Sequence, residues 1–231
     1  MTELAATTKN NGPSGQPSLY TTNGWWVLAG ACGIYLFFTW YLQTRVLTDQ
    51  VYYTSLTGQV GIEKLSALLD SQHRMSFLAY IGVPVFLVIK MSLVSFCLLT
   101  GLLLTARRLP FRTLCKIALF AESSFVAGTL LKLLLLAFVH NVDNLGQFAS
   151  FAPLSLYSLF KVSAVPAWLT YPLQTLDLFQ VGYVLLLATG LCYYCREPFK
   201  KMLWLVLGSY GTGLLCCMIG FAFLSFSYTN G

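Results

Sequence analysis

Two short basic segments divide the hydrophobic part of the chain, and they constrain its fold more than any other feature. The first reads Arg-Arg-Leu-Pro-Phe-Arg over residues 107–112, and the second reads Arg-Glu-Pro-Phe-Lys-Lys over residues 196–201. Each lies between two apolar stretches of about 20 residues, the length of helix that crosses the hydrocarbon core of a bilayer. The pattern predicts a polytopic membrane protein in which the basic segments are turns between spans.

The composition supports this class. Hydrophobic residues make up 57% of the chain and charged residues only 10%, whereas soluble domains carry roughly 25% charged residues. Windows of apolar residues predict an all-α bundle with five transmembrane helices, at residues 25–42, 77–105, 113–139, 176–194 and 202–226. Residues 1–24 are polar, lack the apolar core of a signal peptide and are predicted to form a disordered tail, while residues 227–231 are predicted to form a short outer tail.

The positions of the basic residues predict the orientation. Alternating topology places eight on one side of the membrane: Lys9, Arg107, Arg108, Arg112, Lys116, Arg196, Lys200 and Lys201. Only Arg45, Lys64, Arg74 and Lys161 fall on the other side. Because Lys and Arg are enriched in cytoplasmic loops, we expect a cytosolic N-terminus and an outside C-terminus. The net charge of +6 then reflects topology, and no nucleic-acid partner is expected.

The two outer connections differ from the basic turns. Residues 44–76 contain an apolar pattern of helical period, which predicts a short amphipathic helix leading towards the second span. Residues 144–175 are rich in aromatic residues and proline. They are expected to lie in the membrane interface, with a short helix around residues 154–160, or to form a re-entrant hairpin.

Charged side chains at membrane depth provide the first candidate site. Lys90 in the second span and Glu122 in the third lie at heights that differ by roughly 9 Å, at 1.5 Å rise per residue, and we predict that they pair. Charges inside a membrane are costly and often functional, so the pair is either structural or a proton- or solute-coupling site. Two separate groups, each satisfied by water or serine, are the further alternative. Lys132 is expected to extend towards the outer interface.

A row of small residues provides the second candidate. Gly208, Thr212, Cys216 and Gly220 recur every four residues in the fifth span, and small residues let transmembrane helices approach closely. The row is interpreted as packing within the bundle or as a surface for a homo-oligomer or an unknown membrane protein partner.

Other chemistry is sparse. Arg107, Arg108 and Arg112 are candidate contacts for lipid head groups, although topology alone explains them. The sequence contains no recognisable catalytic motif, and no metal site or cofactor is predicted, because Cys192 and Cys195 lack the further ligands that zinc needs. No internal repeat of useful length is visible.

The order of elements resembles a known family. A basic turn runs into Pro110-Phe111-Arg112-Thr113-Leu114 before the third span. The fourth span is preceded by Leu-Gln-Thr over residues 173–175, opens as Leu-Asp-Leu-Phe over residues 176–179 and ends at Gly190-Leu191. Over residues 75–226 the chain is similar to bacterial members of the Yip-domain family, five-span proteins of the Ypt/Rab-interacting superfamily. The resemblance implies their fold and topology but no established chemistry. The acidic Asp-Leu-Tyr-Gly-Pro motif of the eukaryotic trafficking members is absent, which favours the bacterial inner membrane.

Two functions follow as hypotheses. The first is a non-enzymatic membrane protein that organises an assembly through helix contacts and membrane lipids. The second is a small transporter or channel subunit that uses Lys90 and Glu122. A polar, water-accessible cavity at Glu122 would favour transport. A dry interior with the Gly208 row facing lipid would favour assembly.

Overall fold

The computed structural model describes residues 24–46, 62–138, 151–160 and 166–230. In this part of the chain all regular structure is helical, apart from one isolated bridge between Ser155 and Asp177. The predicted disordered tail lies outside the described residues, except that Gly24 already begins the first helix. The elements are α1 (Gly24–Tyr41, continued by a π-helical turn Leu42–Val46), α2 (Ile62–Leu104), α3 (Phe111–Ala121), α4 (Ser123–Phe138), a 3-10 helix (Leu156–Leu159), α5 (Ala167–Thr175), α6 (Leu178–Cys195), α7 (Phe199–Val206), a π-helical turn (Leu207–Gly211) and α8 (Thr212–Asn230).

Five helical segments are long and apolar enough to cross a membrane, which confirms the predicted fold class. The five spans are Gly24–Arg45, Phe77–Leu104, Phe111–Phe138, Leu178–Cys195 and Phe199–Ser227. The final helix continues to Asn230, so the short outer tail expected from residue 227 is helical over most of its length. The orientation of the termini stays a prediction.

The second span belongs to one uninterrupted helix. α2 runs for 43 residues and includes Pro84. The amphipathic segment predicted before this span is therefore not a separate helix from residue 62 onwards, because it continues directly into the membrane segment. A proline within a helix removes one backbone hydrogen bond, and the surrounding turns keep α2 helical in spite of that loss.

Both basic turns have the same sequence of backbone conformations. Ala106 and Arg196 adopt left-handed conformations, with φ of 56° and 54°, and so end the helices before them. Pro110 and Pro198 then stand immediately before the next helix with φ of −65° and −62°. Proline suits this place because its missing N–H would have no partner in the first turn. We call this end of the bundle the basic-turn end.

The two hairpins around these turns share one short sequence pattern. The first hairpin joins the second and third spans, and the second hairpin joins the fourth and fifth. Each carries Thr-Gly-Leu near the end of its first helix (residues 100–102 and 189–191) and Pro-Phe followed by a basic residue at the start of its second (residues 110–112 and 198–200). The spacing from threonine to proline is ten residues in one hairpin and nine in the other.

The glycines of this repeat pack reciprocally. A methyl group added at Gly101 in the first hairpin would lie 2.7 Å from Cβ of Ser209 in the second. One added at Gly190 in the second hairpin would lie 2.5 Å from Cγ2 of Ile117 in the first. Each hairpin therefore places the glycine of its first helix against the second helix of the other. Small residues at such crossings let the backbones approach, which is how helices associate in lipid.

The best-buried part of the bundle surrounds these crossings and extends from them towards the basic turns. Side chains from the second to the fifth span are fully buried there, among them Leu98, Leu102, Leu114, Ile117, Leu187, Leu191 and Val206. The first span is more peripheral and contributes one buried residue, Ala31, to this core. The basic-turn end is consequently closed by packed apolar side chains.

The opposite end is organised by the described part of the aromatic connection. The 3-10 helix Leu156–Leu159 coincides with the short helix expected around residues 154–160. The backbone N–H of Leu156 donates to the carbonyl of Leu176 at 2.9 Å, and that of Leu178 donates to the carbonyl of Leu154 at 3.1 Å. These bonds attach the connection to the start of the fourth span. They satisfy backbone groups that lipid could not.

Candidate functional site

The structure brings together the two charged residues that the sequence placed at membrane depth. Nζ of Lys90 in the second span lies 2.8 Å from Oε1 of Glu122 in the third. The Glu122 side chain is 2% exposed and that of Lys90 is 27% exposed. The two groups therefore form a direct ion pair in which the carboxylate is almost completely shielded from solvent. Removing one partner from such a pair costs about 3–5 kcal/mol, because the other charge is left uncompensated.

A tyrosine of the first span completes this group. Oη of Tyr35 donates a hydrogen bond of 2.8 Å to the same oxygen, Oε1 of Glu122. The other oxygen, Oε2, is buried and has no hydrogen-bond partner within the described residues. Glu122 therefore has one carboxylate oxygen with two donors and one buried oxygen with none among the described residues, and a buried acceptor without a donor costs about 1–3 kcal/mol.

An aromatic ring supports the lysine. Nζ of Lys90 lies 3.8 Å from the centroid of the Phe125 ring and 5.5 Å from that of Tyr183. A cation over a ring face is attracted by the ring quadrupole, by about 2 kcal/mol where water is excluded. Phe125 follows Glu122 by three residues, so the third span provides both the carboxylate and the ring that position this ammonium group.

The ion pair lines a cavity of about 350 Å³. Its other polar lining residues are Tyr35, Thr39, Thr129, Lys132 and Asp177, and its walls are Phe38, Val83, Phe86, Leu87, Phe125, Gly128 and Phe179. Since Asp177 stands at the start of the fourth span, the cavity extends from the ion pair away from the basic-turn end. A volume of 300–1,000 Å³, apolar walls and a few converging polar groups are typical of small-molecule sites.

Lys132 lies at the cavity. Its side chain is half-buried and lines the cavity, and its extension towards the outer interface stays a prediction. It forms no salt bridge with any described residue. Oδ1 of Asp177, in contrast, accepts a 2.6 Å hydrogen bond from the backbone N–H of Gln180 and so caps the fourth span. In this part of the cavity, one carboxylate oxygen of Asp177 is therefore engaged in a hydrogen bond. The ammonium group of Lys132 has no ionic partner among the described residues.

The second hairpin also holds a polar pair, one member of which lies at the place equivalent to Glu122. Nε2 of Gln180 donates to Oη of Tyr210 at 2.9 Å. Tyr210 follows Pro198 by twelve residues, as Glu122 follows Pro110, and both lie where the α-helix is interrupted. The first hairpin thus carries a charged pair and the second a neutral one. Only the charged pair lines the cavity.

Tyr183 stands between the two polar pairs. Its ring packs 4.9 Å from that of Phe125 and 5.5 Å from that of Tyr210, measured between centroids. Its hydroxyl is buried without a hydrogen-bond partner in the described part of the chain. Tyr35, Tyr183, Gln180 and Tyr210 are not distinguished by any sequence pattern. A tyrosine in an apolar span is ordinary, so no signal marked these residues until the helices were placed.

The basic turns are joined to each other. Arg107 of the first turn forms an ion pair with Glu197 of the second, and Nζ of Lys201 lies 3.3 Å from Oε2 of Glu197. Arg107, a candidate for binding lipid head groups, therefore has a protein partner. Arg108 and Arg112 are exposed and have no ion pair with any described residue. Of the three candidates, these two remain available to head groups.

The row of small residues faces outward. Gly208, Thr212, Cys216 and Gly220 are all exposed, and a methyl group added at Gly208 or Gly220 would meet no atom within 4 Å. The interpretation that this row packs within the bundle is therefore wrong for the described chain. A neighbouring row of small residues, Ser209, Gly213 and Cys217, also recurs every four residues. This row faces the second span, because a methyl group at Gly213 would lie 3.1 Å from Sγ of Cys97. The four-residue spacing is the same in both rows and does not indicate which one faces a neighbour.

Metal and thiol chemistry gain no support from the geometry. Across residues 24–46, 62–138, 151–160 and 166–230 no group of three His, Cys, Asp or Glu residues is placed to hold a metal ion. Cys192 and Cys195 are free, half-buried thiols.

Comparisons with family models, with curated proteins and with solved structures give no match to this chain. The candidate function therefore rests on the cavity and the groups that line it.

Proposed function

We propose that this integral membrane protein is a small transporter or channel subunit in which the Lys90–Glu122 pair couples to the passage of protons or a small solute. The observation that carries the proposal is the position of a buried ion pair at the wall of a 350 Å³ cavity. A pair needed only to join two helices gains nothing from bordering a cavity. Ionisable groups inside a membrane usually mark solute or proton pathways.

The structure has the form of a cavity closed at one end. The packed side chains between the glycine crossings and the basic turns separate the cavity from the basic-turn end. Passage then requires the two hairpins to move against each other. Membrane proteins built from parallel repeats carry their sites near the repeat interface and move by rocking of one repeat against the other.

Flux through purified protein in liposomes tests this function. Proton flux is followed with an internal pH dye under a potassium diffusion potential, and solute flux by swelling in glycerol, glycine or sodium propionate. The informative variant replaces both charges, Lys90→Met with Glu122→Met, because apolar replacement of a buried ion pair is often neutral or stabilising. We expect this variant to fold and to lose the flux of the wild type. Equal flux in the two proteins, or none above empty liposomes in the wild type, would contradict the proposal.

The outward row of small residues favours a second candidate function. An exposed surface of glycine, threonine and cysteine suits close contact with another transmembrane helix. In this candidate the protein is non-enzymatic, resembles the Yip-domain type, resides in a bacterial inner membrane and organises an assembly among membrane lipids. Its test is the oligomeric state in lipid nanodiscs. Gly208→Leu with Gly220→Leu should dissociate the assembly, and a monomeric wild type would exclude self-association through this surface.

A further inference from the structure

A further pocket lies at the basic-turn end of the bundle. It has a volume of about 400 Å³, and its lining shares no residue with the cavity at the ion pair. Arg107, Arg108 and Leu109 line it from the first basic turn, and Tyr194 and Cys195 line it from the end of the fourth span. Because the apolar span before this turn ends at residue 104 and the fourth ends at residue 195, the pocket lies at the level of the lipid head groups.

The charged side chains that line this pocket are all positive. The lining includes two guanidinium groups and no carboxylate. Glu197 of the second turn forms an ion pair with Arg107 and also contacts Lys201, so one carboxylate is shared between two cations. Arg108 is exposed and has no ion pair with any described residue. The pocket therefore keeps an excess of positive charge, whereas the cavity holds two carboxylates beside its two lysines.

The backbone of the first turn offers an anion few competing carbonyl groups. The backbone N–H of Arg107 donates to the carbonyl of Leu102 at 2.9 Å, and the hydroxyl of Thr105 donates to the same carbonyl at 2.9 Å. The backbone N–H of Ala106 donates to the carbonyl of Leu103 at 3.0 Å. These bonds occupy carbonyl oxygens at the end of a helix, which would otherwise repel an anion through their partial negative charge.

Guanidinium groups in this position suit a phosphate group. A guanidinium is planar and presents five N–H donors, which bind phosphate oxygens in pairs. Arg107 contacts Glu197 through Nη2, and its side chain is 38% exposed, so its other nitrogens can donate to a second anion. Basic pockets between transmembrane helices bind the phosphorylated head groups of anionic lipids.

Apolar side chains beside the pocket favour a lipid over a free phosphate ion. Leu103 is 56% exposed and Leu104 is 85% exposed, and the pocket lining begins at the next residue, Thr105. A phospholipid that is bound through its phosphate can place its acyl chains along these two leucines. A free phosphate ion gains nothing from the same apolar surface.

We propose that this pocket binds the phosphate group of an anionic phospholipid. Arg108 donates to the phosphate oxygens together with the nitrogens of Arg107 that do not contact Glu197, and the acyl chains lie against Leu103 and Leu104. Because Arg107 also pairs with Glu197 of the second turn, the bound lipid contacts the place where the two hairpins are joined. This assignment depends neither on the cavity nor on transport.

Lipid binding to the purified full chain in detergent, followed by native mass spectrometry, tests the assignment. Dioleoylphosphatidylglycerol and dioleoylphosphatidylcholine have the same acyl chains and both contain a phosphate, but only the first carries a net negative charge. We expect one molecule of phosphatidylglycerol to bind about tenfold more tightly than phosphatidylcholine, because the choline ammonium group would lie near two guanidinium groups.

Three variants separate a defined pocket from general attraction to a basic surface. Arg108→Gln should weaken the binding of phosphatidylglycerol by about tenfold, since one hydrogen bond between charged groups corresponds to about that factor. Arg108→Lys keeps the charge but loses the paired donors, so it should weaken binding less, by about threefold. Arg112→Gln is the matched control, because Arg112 is an exposed arginine of the same turn that does not line the pocket. It should change the affinity by about twofold at most, since exposed charges are screened.

Each other outcome would overturn the assignment. Equal weakening by Arg108→Gln and Arg112→Gln would mean that the net charge of this end attracts the lipid without a defined pocket. Equal affinity for the two lipids would exclude selection by charge. Inorganic phosphate at millimolar concentration provides the last comparison, by thermal unfolding of the wild type. Stabilisation equal to that by phosphatidylglycerol, and removed by Arg108→Gln, would assign the pocket to free phosphate instead of a lipid.

Discussion

Tyr35 and Lys90 reach the same carboxylate oxygen, Oε1 of Glu122, from two different helices, each at 2.8 Å. The first, second and third spans are therefore joined at one atom. A hydroxyl and an ammonium group converging on one oxygen fix the rotamer of Glu122 and direct its second oxygen elsewhere. The stability of the site should depend on the two donors unequally, because one is charged and the other neutral.

We expect Glu122→Ala to be the most damaging single truncation at the site. It strands the Lys90 ammonium group and the Tyr35 hydroxyl, and it should lower the free energy of unfolding by about 3–5 kcal/mol. Glu122→Gln keeps an oxygen for both donors and should cost less. Thermal unfolding monitored by size-exclusion chromatography in detergent ranks the two variants. Equal losses would show that the charge of Glu122 contributes little.

Charge exchange tests whether Lys90 and Glu122 interact directly. Lys90→Glu places two carboxylates together, and Glu122→Lys two ammonium groups, so each single variant should be severely destabilised. The double exchange restores opposite charges and should recover part of the loss, measured as an interaction energy in a double-mutant cycle. A double variant that folds no better than the single variants would rule out direct pairing.

Tyr35→Phe removes one hydrogen bond and leaves the ring in place. The expected loss is about 1.5–3 kcal/mol, the range for a hydrogen bond to a charged group. Tyr41→Phe lies in the same helix, and the hydroxyl of Tyr41 has no hydrogen bond to another described residue, so it is the matched control. A loss in both variants, or in neither, would contradict the role assigned to Tyr35 in holding the first span.

Tyr183→Phe and Tyr210→Phe should act in opposite directions. The Tyr183 hydroxyl is buried without a described partner, and its removal relieves a desolvation penalty, so stability should rise by about 1 kcal/mol. The Tyr210 hydroxyl accepts from Gln180, and its removal should cost about 1–2 kcal/mol. Thermal unfolding of the two variants measures the sign of each change in stability. Destabilisation by Tyr183→Phe would mean that its hydroxyl is satisfied in the membrane.

Alanine at the glycines separates packed from exposed positions. Gly190→Ala drives a methyl group into Ile117 and Gly101→Ala into Ser209, and overpacking of this kind costs about 1–3 kcal/mol. Gly208→Ala and Gly220→Ala meet no atom within 4 Å and should leave monomer stability within about 0.5 kcal/mol. Similar effects of Gly101→Ala and Gly190→Ala would support the reciprocal packing of the hairpins, and a difference of several kcal/mol would contradict it.

Hydropathy and residue spacing were sufficient for the coarse architecture. Apolar windows predicted the five spans to within a few residues, and counting residues up each helix predicted the heights of Lys90 and Glu122 well enough to pair them. Both arguments use only distances along helices. They hold because a helix that spans lipid has a fixed rise and an obligatory direction.

Features that depend on rotation about the helix axes could not be predicted. The row that begins at Gly208 and the row that begins at Ser209 look equally suited to packing in the sequence. Only the Ser209 row faces another helix of the bundle, the second span. Tyr35 reaches Glu122 because of how the first span is turned, which periodicity in an almost uniformly apolar helix does not encode. The repeat escaped notice because its identities are confined to five or six residues and its turns differ in length by one residue.

The placement of the ion pair within one hairpin has a consequence for biogenesis. Membrane helices emerge from the ribosome in order, so the second and third spans meet before the fourth and fifth exist. Lys90 and Glu122 can form their ion pair at that stage. Neither charge therefore remains unpaired in lipid until a later helix is made. Once Phe138 has emerged from the ribosome, the first three spans should thus already be able to leave the translocon as one unit.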